Sequence, residues 1–218
     1  MLKLIGVAGR MQAGKTEFAN LAVKEFGATK LAFADALKDE VMQVLLELGV
    51  VFKLSNLYGD KKEDEYTVTF ETLRNADLDV MLKHLLLDHA NRPLSTFAFE
   101  MSYRKLMQVY GTEYRRKQDP EYWVKKTRAA VQEALLRGTK LVVIDDVRFP
   151  DEAQMVLDEG GILVRVERPV DRVVDEHISE TALDGFKGWS WGIFNGGDLT
   201  DYHDEVRRCL RVMLGEGL

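Results

Sequence analysis

The 218 residues carry a formal net charge of −6, with 46% hydrophobic and 30% charged side chains, the balance of a soluble globular chain able to bury a full core. An acidic chain lacks the broad basic footprint that long nucleic acid requires, while leaving room for a local positive pocket suited to a small phosphorylated ligand. A single cysteine, Cys209, cannot make an internal disulfide or a multi-cysteine metal site and points to a reducing cytoplasm, and no apolar run has the length of a signal or membrane helix.

Leu2 to Ala8 is a short continuous apolar run rich in branched residues, which predicts a strand buried on both faces of a parallel sheet. Phe18, Ala19, Leu21, Ala22, Val23 and Phe26 repeat at helical spacing and end at Gly27, and Thr29 to Phe33 reads as a second strand. A helix follows Asp35 to about Leu48. The stretch from Asn56 to Thr69, with Lys61, Lys62, Glu63, Asp64 and Glu65 in a row, reads as a solvated surface loop. Two helix candidates come next, the second placing Phe99, Tyr103, Leu106, Met107 and Tyr110 on one stripe and stopping at Gly111. A helix from about Pro120 to Arg137 closes at Gly138. Strands are expected at Leu141 to Ile144 and Ile162 to Val166, a weak one at Gly192 to Asn195, and a last helix at Leu199 to Met213. Strands separated by helices, with no repeat and no linker, describe one domain built on a wound α/β sheet.

The strongest chemical signal lies between the first strand and the first helix. Gly9-Arg10-Met11-Gln12-Ala13-Gly14-Lys15-Thr16 is a complete G-x-x-x-x-G-K-[ST] loop in the context that the pattern demands. Its glycines let the backbone bend so that amides and the helix N-terminus face phosphate oxygens. Gly9, Gln12, Ala13, Gly14, Lys15, Thr16 and Glu17 are therefore expected around the nucleotide. Lys15 is expected at the β- and γ-phosphates, and the Thr16 hydroxyl on Mg²⁺. A switch GTPase is disfavoured because no Asn-Lys-x-Asp segment is present to read guanine, and the length favours a small-molecule kinase over a motor ATPase.

Ligands of open α/β sheets bind beyond the carboxyl ends of the strands. Asp145, Asp146 and Arg148 follow the Leu141 to Ile144 run. One carboxylate, Asp145 or else Asp146, is expected to hold Mg²⁺ through water, and the other to position the acceptor with Arg148 as a phosphate clamp. Glu152 has a plainer explanation beside Asp151, stabilised by the dipole of the helix that Pro150 opens. Asp35, after the second strand, either orients or deprotonates the acceptor oxygen, or caps the helix that follows. Arg104 and Gln108 stand four residues apart and share a helix face, one suited to the acceptor's phosphate and the other to its base.

Together with Phe33-Ala34-Asp35-Ala36-Leu37-Lys38, Ser102 to Gln108 followed by Gly111-Thr112-Glu113, Asp119-Pro120, Asp146 to Glu152, Arg168-Pro169, His177 to Glu180 and Asn195-Gly196-Gly197, the loop makes the chain resemble the phage-type deoxynucleoside monophosphate kinases. The resemblance implies a P-loop NTPase fold of α/β class: a five-stranded, mostly parallel sheet flanked by helices, with a helical acceptor-binding region at about 50–118 and a small lid at about 168–190. It implies transfer of the γ-phosphate of ATP, with Mg²⁺, to a deoxynucleoside monophosphate. Asp146, Arg148 and Glu152 match the family's acceptor-binding trio, and the resemblance counts Lys38 and Glu180, the latter in the lid segment, among the substrate-binding residues. Arg168 and Arg172 match its mobile lid arginines, and Asn195 matches a loop at the donor adenine. Where many phage members read Gly-Lys-Asp-Thr, this chain reads Gly14-Lys15-Thr16-Glu17, and the Asn56 to Thr69 segment has no clear counterpart. A dephospho-coenzyme A kinase-like enzyme and a non-kinase P-loop ATPase are the alternatives. Trp189 and Trp191 are expected exposed, either in a subunit contact of a homodimer or at a lid hinge.

Overall fold

The computed structural model describes residues 3–58, 61–93, 97–169 and 181–215. In chain order the first elements are β1 (Lys3–Ala8), α1 (Lys15–Phe26), β2 (Thr29–Leu31), α2 (Phe33–Glu47), α3 (Leu54–Tyr58), a 3-10 turn (Lys61–Glu63), β3 (Glu65–Thr69), α4 (Phe70–Asn75) and α5 (Val80–Asp88). There follow β4 (Asn91–Pro93), β5 (Ala98–Ser102), α6 (Tyr103–Gln108), a π-helical segment (Val109–Arg116), α7 (Tyr122–Leu136), β6 (Leu141–Val147), α8 (Pro150–Asp158), β7 (Ile162–Glu167), β8 (Trp191–Phe194) and α9 (Leu199–Leu214). The chain divides into two compact units, Met1–Phe33 with Val124–Leu218, and Ala34–Trp123. No helix among the described residues is long and apolar enough to cross a membrane.

The first unit is built on a five-stranded sheet in the order β2-β6-β1-β7-β8, and every neighbouring pair is parallel. Alternate residues of a strand face opposite sides, and here both sides are covered, so the strands read as unbroken apolar runs. Ile5, Val7, Val143, Val164 and Val166 pack with Phe18 and Ala22 of α1 and Val206 and Leu210 of α9. On the other face Leu4, Val142, Ile144 and Leu163 meet Val131 of α7 and Ala153 and Val156 of α8. Gly6 sits where a Cβ would meet Leu163 Cδ2 at 2.8 Å and Val156 Cγ2 at 3.0 Å, so helix and sheet approach closely there.

Two strand boundaries differ from the sequence reading, and both matter to the site. The second strand stops at Leu31, and Phe33 opens a helix, its amide donating to Asp146 Oδ1 at 2.7 Å. The strand expected to end at Ile144 continues to Val147, because a register shift after Gly6 lets Ala8 pair with Val147. Asp145 and Asp146 thus lie inside β6 rather than beyond it.

The second unit has its own core, gathered from Val41 and Leu45 of α2, Leu57, Val68, Phe99, Met101 and Leu106. Its strands form an antiparallel sheet in the order β3-β5-β4. The stretch expected as a solvated loop is in large part structural: Asn56 and Leu57 are buried, and β3 alternates with Tyr66 and Val68 inside and Glu65, Thr67 and Thr69 outside. The outward positions hold one charged and two polar residues and the charge run lies just ahead of them, so a count of charge hides a strand of period two.

Phe99 belongs to β5, not to the helix stripe in which the sequence placed it, since the helix starts at Tyr103 after Ser102 caps it by accepting from Lys105 N at 3.2 Å. Nor does Gly111 stop the helix. It lies inside the π-helical segment, where a Cβ would meet Leu37 Cδ2 at 3.2 Å and its carbonyl accepts from Trp123 Nε1 at 3.1 Å.

Candidate active site

The loop from Gly9 to Gly14 turns through three left-handed residues, Gly9 (φ 153°), Gln12 (φ 63°) and Gly14 (φ 114°). Two are glycines, for which this is cheap. Gln12 is not, and a non-glycine residue held in this region marks a backbone that its surroundings constrain. Lys15 begins α1 and is 9% exposed, its Nζ donating to the carbonyls of Gly9 at 2.7 Å and Arg10 at 2.8 Å. Its ammonium therefore arches over the hollow of the loop. Thr16 follows, exposed, in the first turn of α1.

Two side chains from further along the chain brace this loop, and a third meets the first turn of α1. Asn195 Nδ2 donates to Ala13 O at 2.8 Å, Tyr202 OH donates to Gly14 O at 2.8 Å, and His203 Nε2 lies 2.7 Å from Glu17 Oε1. Asn195 and Tyr202 are both buried. Burial, with the Glu17 carboxylate nearby, holds the Tyr202 hydroxyl well above the ordinary phenol range, so it stays a donor.

Along β6, Asp145 continues the side that carries Val143, the side covered by α1. It is buried and pairs with Lys30 Nζ at 2.8 Å. Asp146 ties the amide of Phe33, as above. Glu152 is 3% exposed, and its Oε2 accepts from the amides of Arg148 at 2.8 Å and Phe149 at 3.2 Å. The carboxylate thus closes the first turn of α8 and fixes the backbone at Arg148.

The carboxyl ends of β1, β6 and β7 border a cavity of about 320 Å³ whose lining includes Gly9, Arg10, Arg148, Arg165, Arg168 and Trp189. Asp184 binds Arg10 at 3.2 Å and lies 3.9 Å from Arg165, which also meets Glu167 at 2.7 Å. The Arg165 guanidinium stands 5.6 Å from the Trp189 ring centre. Trp189 and Trp191 are half-buried in this unit rather than exposed: Trp189 meets Phe186 edge to face and Trp191 packs on the α1 side of the sheet.

In the second unit Asp35 stands in the first turn of α2, 3.3 Å from Lys38 Nζ, and Lys38 lies over the Tyr58 ring at 4.3 Å. Arg104 pairs with Glu63 of the 3-10 turn, and both Arg104 and Gln108 are exposed. A second polar centre carries no motif at all. Glu40 accepts from Tyr122 OH at 2.6 Å, Tyr110 OH at 2.9 Å and Arg115 Nε at 2.9 Å, and the Arg115 guanidinium lies about 5 Å from the rings of Tyr110, Tyr114 and Tyr122.

Arg172, His177 and Glu180 lie outside the described residues. Lys30, Tyr202, His203 and Asp184 went unnoticed in the sequence. Each is a lone polar residue, recognisable only when its distant partner is seen.

The sequence profile of the deoxynucleotide monophosphate kinases matches residues 50–206. The chain is 24% identical over 216 residues to an Acanthamoeba polyphaga mimivirus protein named as a deoxynucleotide monophosphate kinase, covering 95% of each. It is 22% identical over 246 residues to the deoxynucleotide monophosphate kinase of Enterobacteria phage T4, covering 97% of this chain and 100% of that one. Among solved structures it resembles dephospho-CoA kinase from Campylobacter jejuni, with a TM-score of 0.52, 13% identity and full coverage of both chains, a likeness of fold. A profile match over most of the chain, on a parallel sheet whose first strand delivers a glycine-lysine loop to a helix N-terminus, shows that the chain belongs to the deoxynucleotide monophosphate kinase family.

Proposed function

We propose that the loop amides and Lys15 hold the phosphates of ATP, that Arg148 receives the acceptor's phosphate, and that Arg168, with Arg172, neutralises the group in flight. The observation that carries this reading is the arginine-lined cavity at the carboxyl ends of β1, β6 and β7, which includes the first glycine of the loop. An acceptor phosphate oxygen is already ionised at neutral pH, so no strong base is needed. It attacks the γ-phosphorus in line, the bond to the bridging oxygen of ADP breaks, and the protein's share is positioning and charge neutralisation.

Thr16 and Asp145 supply the hard oxygen donors that suit Mg²⁺, an ion that keeps waters and takes phosphate oxygens as further ligands. Asp145 shares the α1 side of the sheet with the loop helix, and Lys30 orients its carboxylate. The metal, when bound, neutralises charge on the phosphates. Asp146 and Glu152 act for the acceptor through the backbone they fix, Glu152 by holding the amide of Arg148. Asp35, Lys38, Arg104, Gln108 and Glu180 are proposed as acceptor-binding residues, and Asn195 as acting on the donor side. The segment at about 50–118 serves as the acceptor-binding region and that at about 168–190 as the lid, in an enzyme of the cytoplasm.

The test is a panel of dAMP, dCMP, dGMP, dTMP and modified pyrimidine monophosphates with ATP, followed by release of ADP. ADP formation that depends on one of these acceptors is the expected result. Turnover of dephospho-CoA alone, or ATP hydrolysis indifferent to every acceptor, rejects the reading. Within the panel, Arg148→Ala raises the KM of the acceptor by about 10- to 100-fold, the worth of a charge-assisted phosphate contact. The KM for ATP stays within about twofold. A variant with an unchanged acceptor KM removes Arg148 from the site.

A further inference from the structure

The hydrogen bonds from Asn195 and Tyr202 reach two consecutive peptide groups of the phosphate loop. In a trans peptide the carbonyl of one residue and the amide of the next share a plane and point in opposite directions. The described chain contains no cis peptide. Holding Ala13 O therefore fixes the direction of the Gly14 amide, and holding Gly14 O fixes that of the Lys15 amide. Gly14 O also takes the first bond of α1, from Phe18 N at 2.9 Å, so loop and helix are locked at one atom.

The contact is close as well as polar. A Cβ on Gly14 would stand 2.8 Å from Asn195 Nδ2 and 2.9 Å from Tyr202 Cζ. Gly14 is the N-cap of α1 and has no side chain to cap it, and two residues earlier Gln12 is held at φ 63°. A loop with this much left-handed backbone needs an external hold, and β8 and α9 provide it.

We propose that Asn195 and Tyr202 are positioning residues of the phosphate loop, which aim the amides of Gly14 and Lys15 at the donor's phosphates before the nucleotide arrives. The inference rests on the reading of this loop as the donor site. It gives Asn195 a role different from the adenine contact expected of it, and gives Tyr202 one that no motif suggested. Pre-aimed donors cost no reorganisation at the moment of binding or transfer, which is where such groups gain their effect.

The experiment compares wild type, Tyr202→Phe and Asn195→Ala in the full chain, with three ligands: ATP, inorganic tripolyphosphate and the acceptor monophosphate. Tripolyphosphate has no base, so it isolates the grip of the loop. Each variant is expected to bind ATP and tripolyphosphate about 3- to 10-fold more weakly, the worth of one neutral hydrogen bond, with the acceptor KM unchanged. A loss confined to ATP assigns Asn195 to the base and overturns the proposal. So does an equal loss for donor and acceptor, as general loosening would give, and so does no loss at all.

Should the substitutions prevent folding, a crystal structure of the wild type with tripolyphosphate decides. Both bonds retained supports pre-set amides, and either peptide flipped overturns them. If the wild type itself neither binds tripolyphosphate nor forms ADP, the donor-site reading falls and takes this proposal with it. If the wild type does both and the variants match it, only the positioning role falls.

Discussion

Two polar centres of this chain use the same materials to opposite ends. Around Glu40 the charges are turned on one another: one carboxylate takes two tyrosine hydroxyls and a guanidinium, and three aromatic rings surround that guanidinium. Around the phosphate loop the bracing falls on the backbone, with side chains from α9 and the end of β8 fastened to carbonyls. Groups that satisfy each other hold a fold, whereas groups that hold a backbone in an unfavourable shape prepare it to receive something else. The first centre is built for stability and the second for binding, and they predict different failures.

The largest failure belongs to Lys15. Lys15→Ala removes the ammonium that arches over the loop, and the expected loss of kinase turnover is about three orders of magnitude. The circular dichroism spectrum and melting temperature are expected to change little, because these bonds of Lys15 run to carbonyls at the start of its own loop and not to the core. A coupled ADP-release assay beside a thermal melt checks both halves. Turnover near the wild-type value would erase the distinction between the two centres.

Glu40 should fail the other way. Glu40→Gln keeps the size but sets an amide against donors, and one carboxylate there serves three of them. The expected cost is about 2 kcal/mol of unfolding free energy, read by urea denaturation. The KM for ATP is expected to stay at the wild-type value. A stability change below about 0.5 kcal/mol would mean that solvent takes over the partners of Glu40.

How far each centre could be read from the sequence follows from the same contrast. The loop was legible because its chemistry depends on local order: glycines, lysine and threonine at fixed spacing between a buried strand and a helix. The parallel strands were legible for a similar reason, since burial on both faces leaves an unbroken apolar run in Leu4 to Ala8 and Leu141 to Ile144. Glu40 and Arg115 meet across 75 positions of chain, and no local pattern announces such a pair. The bracing of the loop is hidden in the same way, with Tyr202 and Gly14 separated by 188 positions. The antiparallel sheet was lost for another reason: in Glu65 to Thr69 the outward residues are charged or polar, and a surface strand then resembles a loop. The advance of β6 past Ile144 came from a shift in strand register, which composition does not record.

Cys209 gives the smallest effect and tests whether the α9 that carries Tyr202 is truly held down. Its thiol is fully buried, with Met213 Sδ 3.6 Å away, and burial pushes its pKa from 9.0 up to about 12. The folded chain therefore keeps the thiol protonated where the unfolded chain ionises it. The sign is then fixed: this contribution is intact below pH 9, and stability declines as the pH rises through the window from 9 to about 12. For this one group the slope is at most about 1.4 kcal/mol per pH unit. The buried hydroxyls of Tyr110 and Tyr202, also raised by burial, add to the decline in the same direction at higher pH. Cys209→Ala should flatten the alkaline limb of stability slightly. At pH 8 a disulfide reagent should modify the wild type only as fast as α9 opens, and modification at the rate of a free thiol would show that this helix is not the fixed support from which Tyr202 reaches Gly14.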